Sequence, residues 1–143
     1  MSNHQKLVDD FHKAMFVDHD PAAIAGLYTE DAILKDPTTE EPIRGKEAIG
    51  EYHAGFLRAF PDMSADFFNV FGAGEWFAVE FRFTGTHTGS LELAPGQVVP
   101  GTGRKITADG CWIGRMAPDG RCAEDHSYFD TGVFASLATP AAG

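Results

Sequence analysis

Gly110-Cys-Trp-Ile-Gly-Arg-Met-Ala-Pro-Asp-Gly-Arg-Cys-Ala-Glu-Asp-His-Ser-Tyr-Phe-Asp130 reads as one hairpin. In its turn, Ala117-Pro118-Asp119-Gly120, Pro suits the first central position of a type I turn and Asp the second. Gly then takes the left-handed position of a three-residue hairpin loop. That geometry predicts the pairs Met116–Cys122, Gly114–Glu124, Trp112–His126 and Gly110–Tyr128. Side chains alternate faces along a strand, so Trp112, Glu124, His126, Tyr128 and Asp130 are expected on one face. Cys111, Ile113, Arg115, Asp125 and Phe129 fall on the other. Two glycines opposite charged side chains predict vacant space, a polar pocket around an aromatic. Cys111 and Cys122 land on opposite faces, which argues against a disulfide between them.

Upstream of the hairpin the strand pattern continues. Residues 65–71 and 75–84 alternate and are joined by Gly72-Ala73-Gly74, a second hairpin. In the later strand Phe77, Val79, Phe81 and Phe83 form a greasy face and Glu80 and Arg82 a charged one. Residues 85–103 are rich in glycine and proline and read as a long loop, of the kind that forms a lid, a rim or an interface. The last strands span 104–116 and 121–130, and residues 135–143 read as a frayed tail.

The first third is helical. Leu7, Phe11, Ala14 and Met15 share one helix face. Asp20-Pro21 is a cap followed by Pro at the first helical position, with Ile24, Leu27 and Tyr28 inward. Residues 31–36 form a short strand ended by Pro37. Gly45 opens a third helix whose stripe is Ile49, Tyr52, His53, Phe56, Leu57 and Phe60, stopped by Pro61-Asp62. Helices first and a sheet after them predict an α+β fold in one domain over 1–143, with its core at about 5–135.

The whole composition suits that fold. The chain has 143 residues, 43% hydrophobic and 22% charged, enough for one core without a metal or disulfide to hold it. Its net charge of −10 argues against a nucleic-acid groove or an anionic membrane surface as partner. No stretch is long and apolar enough for a membrane span, and the first residues lack the apolar core of a secretion signal. A cytoplasmic protein is the expectation. The two cysteines and six histidines match no ligand spacing, so a protein-held metal is not expected.

A lone histidine in an apolar stripe, as His53 is, is commonly a hydrogen-bonded core residue. Glu80 with Arg82 is commonly a solvated or interface pair. Glu, His and Asp at steps of two on the last strand carry the stronger functional signal.

Several motifs stand in a telling order: Asp31-Ala32, Asp36-Pro37, Pro42-Ile-Arg-Gly-Lys-Glu-Ala-Ile49, Ala59-Phe60-Pro61-Asp62, Thr84-Gly-Thr-His-Thr-Gly89, Gly101-Thr-Gly-Arg104, Asp119-Gly-Arg121 and Glu124. Together they resemble the SnoaL-like polyketide cyclase family. That family belongs to a wider cone-shaped α+β group with ketosteroid isomerase, scytalone dehydratase and limonene-epoxide hydrolase. The resemblance covers about residues 5–135. It implies a curved, antiparallel or mixed sheet around a deep apolar pocket closed by three N-terminal helices, and a homodimer through the sheet's outer face. It also implies intramolecular aldol closure of a polyketide ester without metal or cofactor, an acid on the last strands serving as general acid and base. Glu124 matches that position. His126 stands where the family often has Trp, Glu80 where Arg is frequent, and Gly101-Thr-Gly replaces the commoner Pro-Thr-Gly. The epoxide hydrolases resemble the chain less well, since their Asp, Arg, Asp set meets Glu80-x-Arg82 here.

Proton removal beside a carbonyl needs a base with a pKa near working pH and a donor for the developing enolate. The expected base is Glu124, with His126 or Tyr128 as donor and Asp36 reaching in from the first strand. Trp112, Phe56, Tyr28 and His53 would be the walls for a small-molecule substrate, and Glu80 and Arg82 further contacts. Isomerase, dehydratase or hydrolase chemistry in the same pocket, or binding without catalysis, are the alternatives.

Overall fold

A computed structural model describes residues 3–139. Helix α1 (Asn3–His12) runs into a π-helical turn (Lys13–Val17) and is followed by α2 (Pro21–Ala25), β1 (Tyr28–Lys35), β2 (Ile43–Arg44) and α3 (Lys46–Ala59). Then come β3 (Ser64–Ala73), β4 (Trp76–Thr86), β5 (Leu91–Ala94), β6 (Gln97–Val99), β7 (Lys105–Met116), β8 (Cys122–Phe129) and α4 (Thr131–Ala135), with a closing 3-10 turn (Ser136–Ala138). The fold is α+β. Six strands form one sheet in the order β2-β1-β8-β7-β4-β3, while β5 and β6 make a separate ribbon. The pair β1–β8 is parallel and its neighbours are antiparallel, so the sheet is mixed. A parallel pair requires a crossover, and the stretch from α3 to β7 supplies it.

Local chemistry sets these elements. Asp20 caps α2 by accepting from the amides of Ala22 and Ala23 at 3.1 and 3.2 Å, with Pro21 in the first turn. Gly45 precedes α3 at φ +91°, a conformation that L side chains rarely adopt. Along β4, Phe77, Val79 and Phe83 are buried while Trp76, Glu80 and Arg82 are exposed. The sheet thus has an inner face against the helices and an outer face away from them.

Three expectations need correction here. Residues 85–103 are not a structureless loop, because β5 and β6 pair within them. Leu91 joins the core, and His87, wholly buried, has its Nδ1 against the Thr102 hydroxyl at 3.0 Å. Residues 135–139 are not frayed: Phe134 and Leu137 are buried, and Arg104 donates to the carbonyls of Ser136 and Thr139 at 2.8 and 2.6 Å. Residues 140–143 of the expected tail lie outside the described ones. Asp130 is not on a strand face but caps α4, accepting from the amides of Gly132 and Val133. No helix among the described residues is long and apolar enough to cross a membrane.

Candidate functional site

The turn of the β7–β8 hairpin starts the ladder as its residues dictate, with Met116 opposite Cys122. The next pair is Arg115 with Glu124, so Ala123 is an extra residue on β8, a β-bulge. A bulge leaves one residue unpaired and shifts all that follow by one, and one step moves every side chain to the other face. Asp125 therefore stands opposite Gly114, Ser127 opposite Trp112 and Phe129 opposite Gly110. Glu124, His126 and Tyr128 fall instead on the outer face.

The inner face bounds a cavity. Phe67, Phe81, Phe83, Ala108, Trp112, Asp125, Ser127 and Phe129 come to it from the sheet. Phe11, Met15 and Phe16 approach from α1 and its π turn, Tyr52, His53 and Phe56 from α3, and Phe134 from α4. The expected cover of three N-terminal helices is corrected accordingly, since α2 gives no lining residue and α4 does. Counted as space open to the centre of a water molecule, the cavity holds about 90 Å³. One water needs roughly 10–15 Å³ on that measure, so the space suits something larger. The expected vacancy over Gly110 and Gly114 is absent, because the rings of Phe81 and Phe77 fill it.

Polar chemistry is concentrated at one carboxylate. Asp125, 1% exposed, accepts from the Tyr28 hydroxyl at Oδ2 and from the Ser127 hydroxyl at Oδ1, each at 2.6 Å. Burial pushes its pKa up from 3.8 to about 6. The Ser127 and Tyr28 hydrogen bonds oppose that rise by favouring the ionised form, and the nearby Asp36 charge adds to it. Tyr28 is wholly buried behind the cavity wall, and burial, with the Asp125 charge, holds its phenol well above the usual tyrosine range. Its oxygen is also 3.2 Å from His53 Nε2. Because the single phenol proton goes to Asp125, the facing histidine nitrogen is assigned as the N–H and the other as an acceptor. Burial lowers the His53 pKa to about 3, so the imidazole is neutral.

The remaining predicted residues take other places. Trp112, His53 and Phe56 line the cavity. Asp36 does not: it lies behind Tyr52, whose hydroxyl it accepts, and is held by the amide and hydroxyl of Thr38 at 2.6 Å each. Glu124 is 3.5 Å from Arg115 and 3.3 Å from His126 Nε2, with the Trp76 ring edge-on to His126. Glu80 accepts from Asn69, and Arg82 pairs with Asp109 at 2.8 Å, both on the outer face. Tyr128 is half exposed there. Both cysteines are free, and no group of three or more His, Cys, Asp or Glu among the described residues could hold a metal ion.

Asp125 and Ser127 were missed because the turn fixes register only as far as the bulge. On β8 neither face is apolar enough to correct it.

The chain matches the family model for the SnoaL-like domain over residues 8–125. A steroid Delta-isomerase from Nocardioides simplex is 38% identical over 64 residues, 45% of this chain and 50% of that protein. The match thus spans half of that relative. Among solved structures, a candidate SnoaL-like polyketide cyclase from Jannaschia sp. CCS1 superposes with a TM-score of 0.83 at 18% identity, covering 96% of this chain and 93% of that one. IdmH from Streptomyces antibioticus, a candidate polyketide cyclase, gives 0.76 at 21% identity, covering 97% and 100%. A protein with a ketosteroid isomerase-like fold from Catenulispora acidiphila gives 0.75 at 16%, covering 94% of each. At these identities the structural likeness speaks for the fold alone, and the extent of the family match carries the assignment: the chain belongs to the SnoaL-like domain family.

Proposed function

We propose that the protein is an enzyme that moves a proton beside the carbonyl of a small, largely apolar compound, with Asp125 as general base and then general acid. The observation that carries this reading is a single buried carboxylate in an aromatic cavity, its pKa raised to about 6. At neutral pH roughly nine in ten such groups are ionised and able to accept a proton. Their conjugate acid is still strong enough to return one.

The chemistry balances without an oxidant or reductant. Asp125 takes a proton from the carbon next to the carbonyl, and the C–H electrons move into an enolate. In an aldol closure the enolate carbon then attacks a second carbonyl of the same molecule, and Asp125 returns the proton to the new alkoxide. In an isomerisation the proton returns to a different carbon instead. Aldol closure of a polyketide ester is the reading we favour, in keeping with the cyclase candidates among the structural neighbours. Isomerisation is the second, favoured by the partial match to a steroid Delta-isomerase. Neither needs a metal or cofactor.

We also propose a homodimer through the outer face. Phe71, Trp76 and Tyr128 are 64%, 38% and 50% exposed on it, and aromatic side chains are enriched where protein surfaces meet.

The test is deuterium exchange of the α-protons of 2-tetralone, a small aromatic ketone. Asp125→Asn is expected to lower the catalysed rate at least about a hundredfold, and Glu124→Gln to leave it near wild type. The wild-type rate should climb with pH through about 6 and level off, because only the ionised base works. An Asp125→Asn protein that keeps wild-type exchange refutes the base, and no catalysed exchange by wild type favours a binding protein.

A further inference from the structure

We infer that Trp112 is the oxygen-binding residue of the cavity: its indole N–H receives a carbonyl, enol or phenol oxygen of the ligand. The inference takes from the proposed reaction only that the cavity is the ligand site.

A count of donors leads to it. The Tyr52 hydroxyl is committed to Asp36, the Ser127 hydroxyl to Asp125 Oδ1, and the Tyr28 hydroxyl behind the wall to Asp125 Oδ2. His53 faces Tyr28 with its N–H, which leaves its other nitrogen an acceptor. Among the residues that line the cavity, one buried hydrogen-bond donor has no partner in the described structure, and it is Trp112 Nε1. An indole N–H can only donate. A donor buried without a partner is unfavourable, and Trp112 is only 4% exposed, so water does not offset the loss.

Its setting fixes the kind of group that completes it. Phe11 packs on the indole at 4.8 Å between ring centroids and Phe77 stands nearly perpendicular to it at 5.0 Å, so the ring is held in an apolar frame. Across the ladder stands Ser127, and two residues back along β8, on the same face, is Asp125. An oxygen at Trp112 would thus lie on the same sheet face as the carboxylate. Nothing else nearby on that wall offers a proton, which selects for an oxygen acceptor and against a second donor or a bare hydrocarbon. An anionic enolate oxygen would gain more from the N–H than a neutral ketone, since charge-assisted hydrogen bonds are about twice as strong.

The experiment compares 2-tetralone with tetralin, the hydrocarbon of the same ring system, in the intact protein. Wild type is expected to prefer the ketone. Trp112→Phe keeps an aromatic ring and loses the N–H, so it should weaken the ketone about tenfold and leave tetralin unchanged, removing the preference. A direct reading needs no cavity variant. The protein has two tryptophans, so its ¹H–¹⁵N spectrum holds two indole signals, and Trp76→Phe on the outer face assigns them. The Trp112 signal should move downfield with 2-tetralone and stay in place with tetralin. Equal affinity of the two ligands in wild type overturns the inference. So does an indole signal that ignores the ketone, as it would if the N–H were committed to the face of the Phe77 ring. Ketone preference is read from equilibrium binding to the intact protein and the base from exchange rates, so failure of the base and failure of the oxygen site give different results.

Discussion

Tyr28 on β1 donates its phenol proton to Asp125 on β8 across 2.6 Å, at a point where both are closed to solvent. That bond favours the ionised carboxylate and holds back the rise in pKa that burial causes. Tyr28→Phe removes it. The Asp125 pKa should then move above about 6, and the acid limb of 2-tetralone exchange should shift to higher pH in step. Stability should fall by about 1–3 kcal/mol, because Asp125 Oδ2 and the His53 N–H both lose a buried partner. A pH–rate profile with an unmoved acid limb would show that Tyr28 does not tune the base.

His53 makes the fold sensitive to acid. Its pKa falls from 6.5 in the open chain to about 3 when burial penalises the imidazolium. Between those values the unfolded chain binds a proton that the folded one refuses, so stability is lost as pH falls from about 6.5 toward 3. Asp125 has the opposite sign. Its pKa rises from 3.8 to about 6 on folding, so its contribution is complete below the lower value and lost as pH climbs through the upper. The two slopes offset each other between roughly pH 4 and 6. His53→Gln removes one of them, and urea unfolding of that variant should show stability declining as pH rises across this window. A profile matching wild type would mean that the imidazole is not held neutral.

These groups divide by how much of them a sequence pattern can carry. The helix stripe of α3 is periodic over four turns, so Tyr52, His53 and Phe56 fall on the inward side with no knowledge of the rest. The alternation of Phe77, Val79, Phe81 and Phe83 against Trp76, Glu80 and Arg82 orients β4 equally well. Strand β8 offers no such guide, since Cys122-Ala-Glu-Asp-His-Ser-Tyr-Phe129 places polar residues on both faces. Its orientation depends on whether Ala123 is paired, and that is decided by contacts with β7 and β1 rather than by local preference. Glu124 and Asp125 are consecutive acids, and one bulge selects which of them is buried. Phe81 and Phe77 likewise fill the space over Gly110 and Gly114 from another strand, which the hairpin's own residues do not reveal.

Those two glycines should tolerate a methyl group unequally. A Cβ on Gly114 would approach three ring atoms of Phe77, the nearest at 2.3 Å. A Cβ on Gly110 would meet the Phe81 ring at 2.4 Å and also the backbone carbonyl oxygen of Tyr128 at 2.6 Å. A ring can tilt, whereas the Tyr128 carbonyl belongs to the neighbouring strand. Overpacking of this kind costs about 1–3 kcal/mol, and Gly110→Ala should stand at the upper end with Gly114→Ala below it. Thermal unfolding of the two variants orders them, and a Gly110→Ala protein as stable as wild type would mean that β7 and β8 can part at this point.

The outer face should answer to charge as the cavity does not. Trp76 lies opposite Arg115, Ala78 opposite Ile113 and Phe71 opposite Ala78, which joins Phe71, Trp76 and Ile113 into an apolar belt across three strands. Tyr128 stands opposite Cys111 beside it. If a second copy covers this belt, a carboxylate at its centre must be desolvated without a partner, which is strongly unfavourable. Trp76→Glu is therefore expected to shift sedimentation from dimer to monomer. The single chain should lose little stability, because the indole is only part-covered within it. Asp125, Trp112 and the cavity lie on the other side of the sheet, so the monomer should retain 2-tetralone exchange. A wild-type chain that sediments as a monomer, or a Trp76→Glu chain that stays dimeric, excludes this face as the contact between subunits.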